Sequence, residues 1–195
     1  MRPSSVPLTD IPSDTALATV HDVFTVGHST RDFDELIGML RQNQVSTLVD
    51  VRSYPSSRAY PQWNQDAIIN SLPDDLDYVW IRDLGGRRHT PAGVPSVNGG
   101  WRVKAFRDYA DYMATPGFQA GLHKLLRVAE HGSPAIMCSE AVPWRCHRRL
   151  ITDALLARRV PVFDIMSETL TRPAKTTPFA RVEGQVITYP ARSCG

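Results

Sequence analysis

Cysteine, lysine and long apolar runs are all scarce in this chain of 195 residues. The three cysteines are an odd number without regular spacing, so they do not form the framework of a disulfide-rich secreted protein. No apolar run is long enough to cross a membrane, and the first twenty residues lack the apolar core of a secretory signal. We therefore expect a cytoplasmic protein without a membrane partner.

A strong excess of charge is also lacking, because Lys and Arg number 22 against 20 for Asp and Glu. This balance does not by itself indicate nucleic acid as a partner. Only Lys104, Lys124 and Lys175 are lysines, however, which leaves 22 minus 3, or 19, arginines. An arginine surplus suits planar, bidentate recognition of anions, and codon bias is the alternative explanation for the surface arginines.

Short apolar runs alternate with segments of helical periodicity, which predicts strands that alternate with helices. The predicted strands begin at Val23, Thr47, Tyr78, Pro134 and Pro161. We interpret this pattern as one α/β domain with a mostly parallel sheet of about five strands and helices on both faces, either Rossmann-like or flavodoxin-like. Residues 1–22 are predicted to be a flexible extension, residues 23–170 the domain, and residues 171–195 a Pro- and Arg-rich tail without assigned structure.

Local signals mark several helix starts. Asp32 followed by Glu35 is typical of a capping box, and Asn64 is predicted to cap a short helix. Thr115 is predicted to cap a further helix with Pro116 in its first position.

Side chains that could act in catalysis or bind a ligand follow four of the predicted strands. Because the carboxyl ends of parallel strands lie on one edge of a sheet, these residues predict a ligand site there. The predicted catalytic residues are Glu140, His28 and Cys146. The predicted ligand-binding residues are Ser29, Arg52, Arg58, Gly85, Gly86, Arg87, Cys138, Arg145, His147 and Arg148.

Each candidate has a structural alternative. Glu140 is the preferred acid or base, and a salt bridge to Arg145 or Arg148 is its ordinary explanation. Cys146 lies at the predicted start of a helix between arginines, which favours a thiolate, whereas most such cysteines are buried and inert. Arg52 either pairs with Asp50, two residues earlier on the same side of the strand, or faces a ligand.

No cofactor can be named, because a Walker loop and a dinucleotide fingerprint are both absent from the sequence. Cys138, Cys146, His147 and His28 offer zinc ligands, so a zinc site is an alternative. The spacing disfavours it, since consecutive residues on a helix, as we expect Cys146 and His147 to be, point about 100° apart. We therefore predict no metal ligands.

Several of these motifs together resemble a known family. They are Gly27-His28-Ser29-Thr30, the segment Leu48 to Pro55, Leu84-Gly85-Gly86, and Cys138-Ser139-Glu140 with Cys146-His147-Arg148. In this order they resemble the domain-of-unknown-function family numbered 488, over roughly residues 23–170. The resemblance implies a fold and a site but no settled activity.

Two main functions remain open from the sequence. One is an enzyme, a hydrolase or transferase, that binds an anionic, phosphate-bearing or nucleotide-like substrate through arginines, with Trp101 or Trp144 stacking on a base. The other is a noncatalytic module that binds nucleic acid or another anion through the loop of residues 84–104 and the basic tail. A thiol-redox or zinc-binding protein is a further alternative, and the sequence does not indicate the oligomeric state.

Overall fold

A computed structural model describes residues 20–91 and 93–191, and it shows one α/β domain. Its main sheet has six strands in the order β3-β2-β4-β1-β5-β6, of which only β6 runs antiparallel. The strands are β1 Val23–Gly27, β2 Thr47–Asp50, β3 Asp77–Trp80, β4 Pro134–Cys138, β5 Val162–Ser167 and β6 Leu170–Pro173. The predicted mostly parallel sheet is thus confirmed, with one strand more than expected. Most of the predicted N-terminal extension, and Cys194, lie outside the described residues.

Five α-helices in this part of the chain cover the two faces of the sheet. They are α1 Phe33–Gln42, α2 Gln65–Ser71, α3 Lys104–Tyr112, α4 Pro116–Ala129 and α5 Arg148–Leu156. One apolar cluster joins α1 and α2 to one face, where Leu48 lies, and the other joins α3, α4 and α5 to the opposite face, where Val49 lies. The central strands β1, β2 and β4 are buried on both sides, as continuous apolar runs predict, whereas the edge strands β3 and β6 are largely exposed.

Of the three predicted helix caps, Thr115 caps its helix, whereas Asp32 and Asn64 precede their helices without a side-chain capping bond. The Thr115 side chain accepts a hydrogen bond from the backbone N–H of Phe118, and Pro116 begins α4, as predicted. The capping box at Asp32 is wrong, because Asp32 precedes α1 without a side-chain capping bond. Glu35 instead accepts a hydrogen bond from Arg31. Asn64 precedes α2, but its side chain accepts from the backbone N–H of Ser57 rather than capping the helix.

The segment after Leu170, which the sequence left unassigned, takes part in the fold. After β6, strands β7 Arg181–Glu183 and β8 Val186–Thr188 form a separate antiparallel pair. Tyr189, directly after β8, is fully buried in the core of the α3–α5 face. Its hydroxyl donates a 2.8 Å hydrogen bond to Asp153 on α5. This bond joins the C-terminal segment to the domain.

Tyr189→Phe tests this connection. It keeps the buried ring but removes the hydroxyl that satisfies the buried Asp153 carboxylate, so the free energy of unfolding is expected to fall by about 1–3 kcal/mol. Tyr54→Phe is the control, because the Tyr54 side chain is exposed and no change is expected there. Urea unfolding followed by circular dichroism measures both. Equal stability of Tyr189→Phe and wild type would contradict the connection.

The order of the strands creates a crevice between β1 and β4. These neighbours are paired in parallel, with Gly27 opposite Cys138 at their carboxyl ends. The helix that follows β1, α1, lies on one face of the sheet, whereas α5, which follows β4, lies on the other. Open α/β sheets bind ligands at such a switch point. None of the helices within residues 20–91 and 93–191 has the length and apolar character to cross a membrane.

Candidate functional site

A cleft of about 1010 Å³ opens at this switch point. Its walls come from the segments that follow β1, β2, β3 and β4, as the sequence predicts for the strand ends. Ten of the predicted site residues line it: His28, Ser29, Arg52, Gly86, Arg87, Cys138, Glu140, Arg145, Cys146 and His147. The other three do not. Arg58 is exposed outside the cleft, while Gly85 and Arg148 are buried behind its wall.

A buried ion pair fixes Arg52 at one side of the cleft. Its Nε donates to both Asp50 carboxylate oxygens, at 2.9 and 3.0 Å, and its Nη2 donates to Oδ2. Tyr78 donates a further hydrogen bond to Asp50, which is fully buried. The pairing expected from their two-residue spacing is therefore present. The remaining nitrogen, Nη1, is not part of the ion pair and lies near His28.

His28 is held on both ring nitrogens. Its Nδ1 lies 3.1 Å from the Ser29 carbonyl, which can only accept, so Nδ1 carries the proton of the neutral ring. Its Nε2 accepts from Arg52 Nη1 at 3.4 Å, and the ring stacks on Trp63. Burial, and then the charge of Arg52, lower the pKa of His28 to about 4. The ring is therefore neutral near pH 7.

Two thiols and an imidazole form the floor of the cleft. His147 Nδ1 lies 3.6 Å from Cys146 Sγ and 3.8 Å from Cys138 Sγ. The other ring nitrogen, Nε2, lies 3.0 Å from the Val51 carbonyl. Since a carbonyl only accepts hydrogen bonds, Nε2 carries a proton, and Nδ1 is the nitrogen that faces the sulfurs. Both thiols are free and buried.

The electrostatics separate the two thiols. Burial opposes ionisation of Cys146, but the hydrogen bond from Cys138 and the neighbouring Arg148 outweigh it and hold the pKa of Cys146 below its ordinary value. Arg148 donates its backbone N–H and its Nε to Cys146 Sγ, at 3.5 and 3.4 Å. The hydrogen bond with Cys146, followed by burial, raises the pKa of Cys138. Of the two thiols, Cys146 is the one whose ionisation the surroundings favour.

The local backbone around Cys146 differs from the prediction. We expected Cys146 to begin a helix, but a 3-10 turn at Pro143–Arg145 precedes it and α5 begins only at Arg148. Cys146 itself is extended, with φ −126° and ψ 147°, whereas His147 is helical. The argument that both side chains point about 100° apart on a helix is therefore wrong. Both instead reach the same point.

Glu140 and the arginines at the mouth of the cleft are accessible. Glu140 is exposed, and its carboxylate makes no ion pair or hydrogen bond within residues 20–91 and 93–191. The salt bridge to Arg145 or Arg148 offered as its ordinary explanation is thus wrong. Arg148 instead donates to the backbone carbonyl of Glu140 at 2.6 Å. Arg145 and Arg87 are exposed, and the Arg87 guanidinium lies 5.6 Å from the centre of the Tyr54 ring.

Aromatic residues form part of the rim. Tyr54, Tyr60 and Trp144 line the cleft and are exposed. Trp144 fits the stacking role expected from the sequence, but Trp101 does not, because it is buried among Phe106, Phe179 and Tyr189. The sequence analysis missed the two tyrosines. Their position in the Ser- and Pro-rich loop after β2 was the available signal, since loops at strand ends carry binding residues.

The fold and the cleft define a class of protein: an α/β domain with a polar, sulfur-containing cleft at the switch point of its sheet. The family described as "Domain of unknown function DUF488" matches residues 32–155, more than half of the chain, and the protein belongs to this family. The match includes Arg52, Glu140 and the Cys138–Cys146–His147 cluster, whereas His28 and Ser29 precede it. Neither the curated proteins nor the solved structures gave a match.

Proposed function

We propose that this protein is an enzyme, a hydrolase or transferase, that acts on a phosphate-bearing, nucleotide-like substrate in the cleft. The observation that carries the proposal is the Glu140 carboxylate, which is exposed and has no partner within residues 20–91 and 93–191. It shares one cleft with three arginines and a thiol–imidazole cluster. A small anionic ligand fits such a site, and single-stranded nucleic acid is the larger ligand with the same chemistry.

Substrate binding is assigned to the mouth of the cleft. The guanidinium groups of Arg87 and Arg145 bind the phosphate, because arginine forms charge-assisted, bidentate bonds with phosphate oxygens. Arg52 lies deeper in the cleft, where its ion pair with Asp50 holds the guanidinium in place and balances its charge. Tyr54 or Trp144 stacks on the base, as aromatic side chains do with nucleobases.

Proton transfer is assigned to Glu140. Its carboxylate is free to approach a substrate, whereas His28 presents no free nitrogen. We therefore infer that His28 is a positioning residue that holds Arg52, and that the reaction takes place between Glu140 and the floor formed by Cys138, Cys146 and His147.

The first test of this proposal uses nucleoside mono-, di- and triphosphates and a short single-stranded oligonucleotide as probes. Binding is measured by calorimetry, and each mixture is then examined by mass spectrometry for product. Arg87→Ala and Arg145→Ala are each expected to weaken binding of the best probe by about tenfold. Arg181→Ala, an exposed arginine outside the cleft, is the control and keeps wild-type affinity.

Glu140→Gln separates catalysis from binding. It is expected to slow turnover by about 10²- to 10⁴-fold, the usual contribution of a general acid or base, while affinity and thermal stability stay unchanged. Glu130→Gln, an exposed carboxylate directly after α4 that does not line the cleft, is the control. Equal turnover in Glu140→Gln and wild type would exclude the role of Glu140. Binding without turnover of any probe would instead favour the noncatalytic binding module.

A further inference from the structure

The donor atoms of Cys138, Cys146 and His147 have the spacing of a metal centre. The two Sγ atoms and a ring nitrogen of His147 all lie within 4.8 Å of one another. Zinc binds thiolate sulfur at about 2.3 Å and imidazole nitrogen at about 2.0–2.1 Å, so tetrahedral geometry separates S and N by about 3.6 Å. The observed separations from Nδ1 are 3.6 and 3.8 Å. Both sulfur–nitrogen separations therefore already match those of a tetrahedral zinc site.

The imidazole of His147 is already oriented as a metal ligand, with Nδ1 facing the two sulfurs. Its Nε2–H donates to the Val51 carbonyl, which leaves Nδ1 as the nitrogen for a metal. Metal-binding histidines typically donate their second N–H to a carbonyl or carboxylate in this way. Gly86 packs against the same ring, and a Cβ there would lie 2.5 Å from Nδ1. Glycine at this position thus leaves room for the ring where it stands.

The surroundings also stabilise thiolate ligands. Arg148 donates two N–H groups to Cys146 Sγ, and hydrogen bonds of this kind to metal-bound sulfur are part of the second shell of metal centres. Two thiolates would neutralise the charge of a divalent cation, so the buried site would carry no net charge before a further ligand binds. The neutral imidazole adds no charge.

We propose that Cys138 Sγ, Cys146 Sγ and His147 Nδ1 bind one divalent zinc ion. Both sulfurs bind as thiolates, so any proton that a thiol carries passes to solvent as its sulfur–metal bond forms. All three residues line the cleft, so a fourth ligand, water or substrate, would reach the ion from the cleft. Three protein ligands with one open position are the arrangement of catalytic rather than structural zinc sites.

This inference deepens the proposed function. Zinc binding itself does not depend on that function, and only the catalytic use of the zinc ion does. It makes Cys146 a metal ligand instead of a nucleophile, and a metal-bound water would be the group that attacks the substrate. Glu140, in the same cleft, would then exchange protons with that water. Two cysteines and one histidine, with a glutamate that is not a ligand, also serve in zinc enzymes that deaminate nucleobases. The ring carbon that carries an exocyclic amine of the bound base is therefore a second candidate for attack beside the phosphate.

The test begins with protein purified under reducing conditions without chelator. Native mass spectrometry and elemental analysis are expected to find one zinc per chain after incubation with Zn²⁺ and removal of the excess. Cys138→Ala and His147→Ala are each expected to lose this stoichiometric ion. His123→Ala, which removes an exposed histidine on α4, is the matched control and keeps it.

Cobalt provides a readout that does not depend on the variants folding. Metal-free wild type titrated with Co²⁺ is expected to develop thiolate-to-cobalt charge-transfer absorption and the intense visible bands of tetrahedral cobalt, with saturation at one ion per chain. A wild-type protein that binds neither ion stoichiometrically, or cobalt spectra without thiolate bands, would overturn the proposal. Retention of zinc by both Cys138→Ala and His147→Ala would do the same.

The binding experiments distinguish an incorrect zinc proposal from an incorrect proposed function. Nucleotide binding that depends on Arg87 and Arg145 in metal-free protein would support the anion cleft even when no metal binds. If the protein holds one zinc ion per chain but neither binds nor converts any nucleotide probe, the metal site is supported and the proposed substrate class is wrong.

Discussion

Asp50→Ala is expected to lower the free energy of unfolding by about 3–5 kcal/mol, because it leaves the buried Arg52 guanidinium without its counter-charge. Asp50 is fully buried and Arg52 is only 6% exposed, so water cannot replace the carboxylate. The substitution also removes the acceptor of the Tyr78 hydroxyl. For a chain of 195 residues, this loss corresponds to a decrease in melting temperature of roughly 10 °C.

The matched control is the other bidentate Asp–Arg pair. Arg41 donates to both carboxylate oxygens of Asp75, at 2.9 and 2.6 Å, but both side chains are more than half exposed. Asp75→Ala is therefore expected to leave the melting temperature unchanged within error, since exposed pairs compete with water. Differential scanning calorimetry of both variants measures the contrast. Similar melting temperatures for Asp50→Ala and Asp75→Ala would show that the Asp50–Arg52 pair is not buried as described.

The location of the site could be predicted because it follows from topology alone. Once strands alternate with helices, the segments after β1, β2, β3 and β4 must open on one edge, whatever their detailed conformations. The pairing of Asp50 with Arg52 was one of two outcomes that a local rule left open, since residues two apart share one side of a strand. These conclusions need only the order of strands and helices along the chain and the periodicity of side chains within each of them.

The convergence of Cys146 and His147 could not be predicted in this way. Helical periodicity favoured a helix from Cys146 onward, but the 3-10 turn at Pro143–Arg145 leaves Cys146 extended and delays α5 by two residues. Because α5 begins two residues later, the side chains of Cys146 and His147 converge on one point instead of pointing apart. Helix ends are where local patterns are least precise, and here one end decides whether two ligands can share an ion.

The burial of Arg148 could have been predicted from the spacing of apolar residues in its helix. Arg148, Ile151 and Leu155 follow the i, i+3, i+7 spacing of one helix face, and all three are buried. This places the Arg148 guanidinium beneath the cleft rather than in it. The burial of Tyr189 and Trp101 had no comparable signal, since it depends on contacts between the C-terminal segment and α3 and α5, which are distant in sequence.

Gly27→Ala is expected to destabilise the fold by about 3 kcal/mol or more and to disrupt the site with it. A Cβ at Gly27 would lie 1.9 Å from the Glu140 carbonyl oxygen and 2.8 Å from Ala141 Cα, both of which are backbone atoms. Overpacking of this kind typically costs about 1–3 kcal/mol, and more where the neighbour is backbone that cannot rotate away. The displaced carbonyl is also the acceptor for Arg148 Nη2, so the hydrogen bonds from Arg148 to Cys146 would be disturbed.

Gly38→Ala provides the control with the opposite sign. Gly38 lies within α1, and a Cβ there would meet no atom within 4 Å. Alanine in an open helical position is expected to stabilise the fold by about 0.5–1 kcal/mol, because glycine loses more conformational entropy on folding. Urea unfolding of both variants should therefore move the midpoint in opposite directions. A Gly27→Ala variant as stable as wild type would contradict the close approach of β1 to the segment after β4, and with it the position assigned to Glu140.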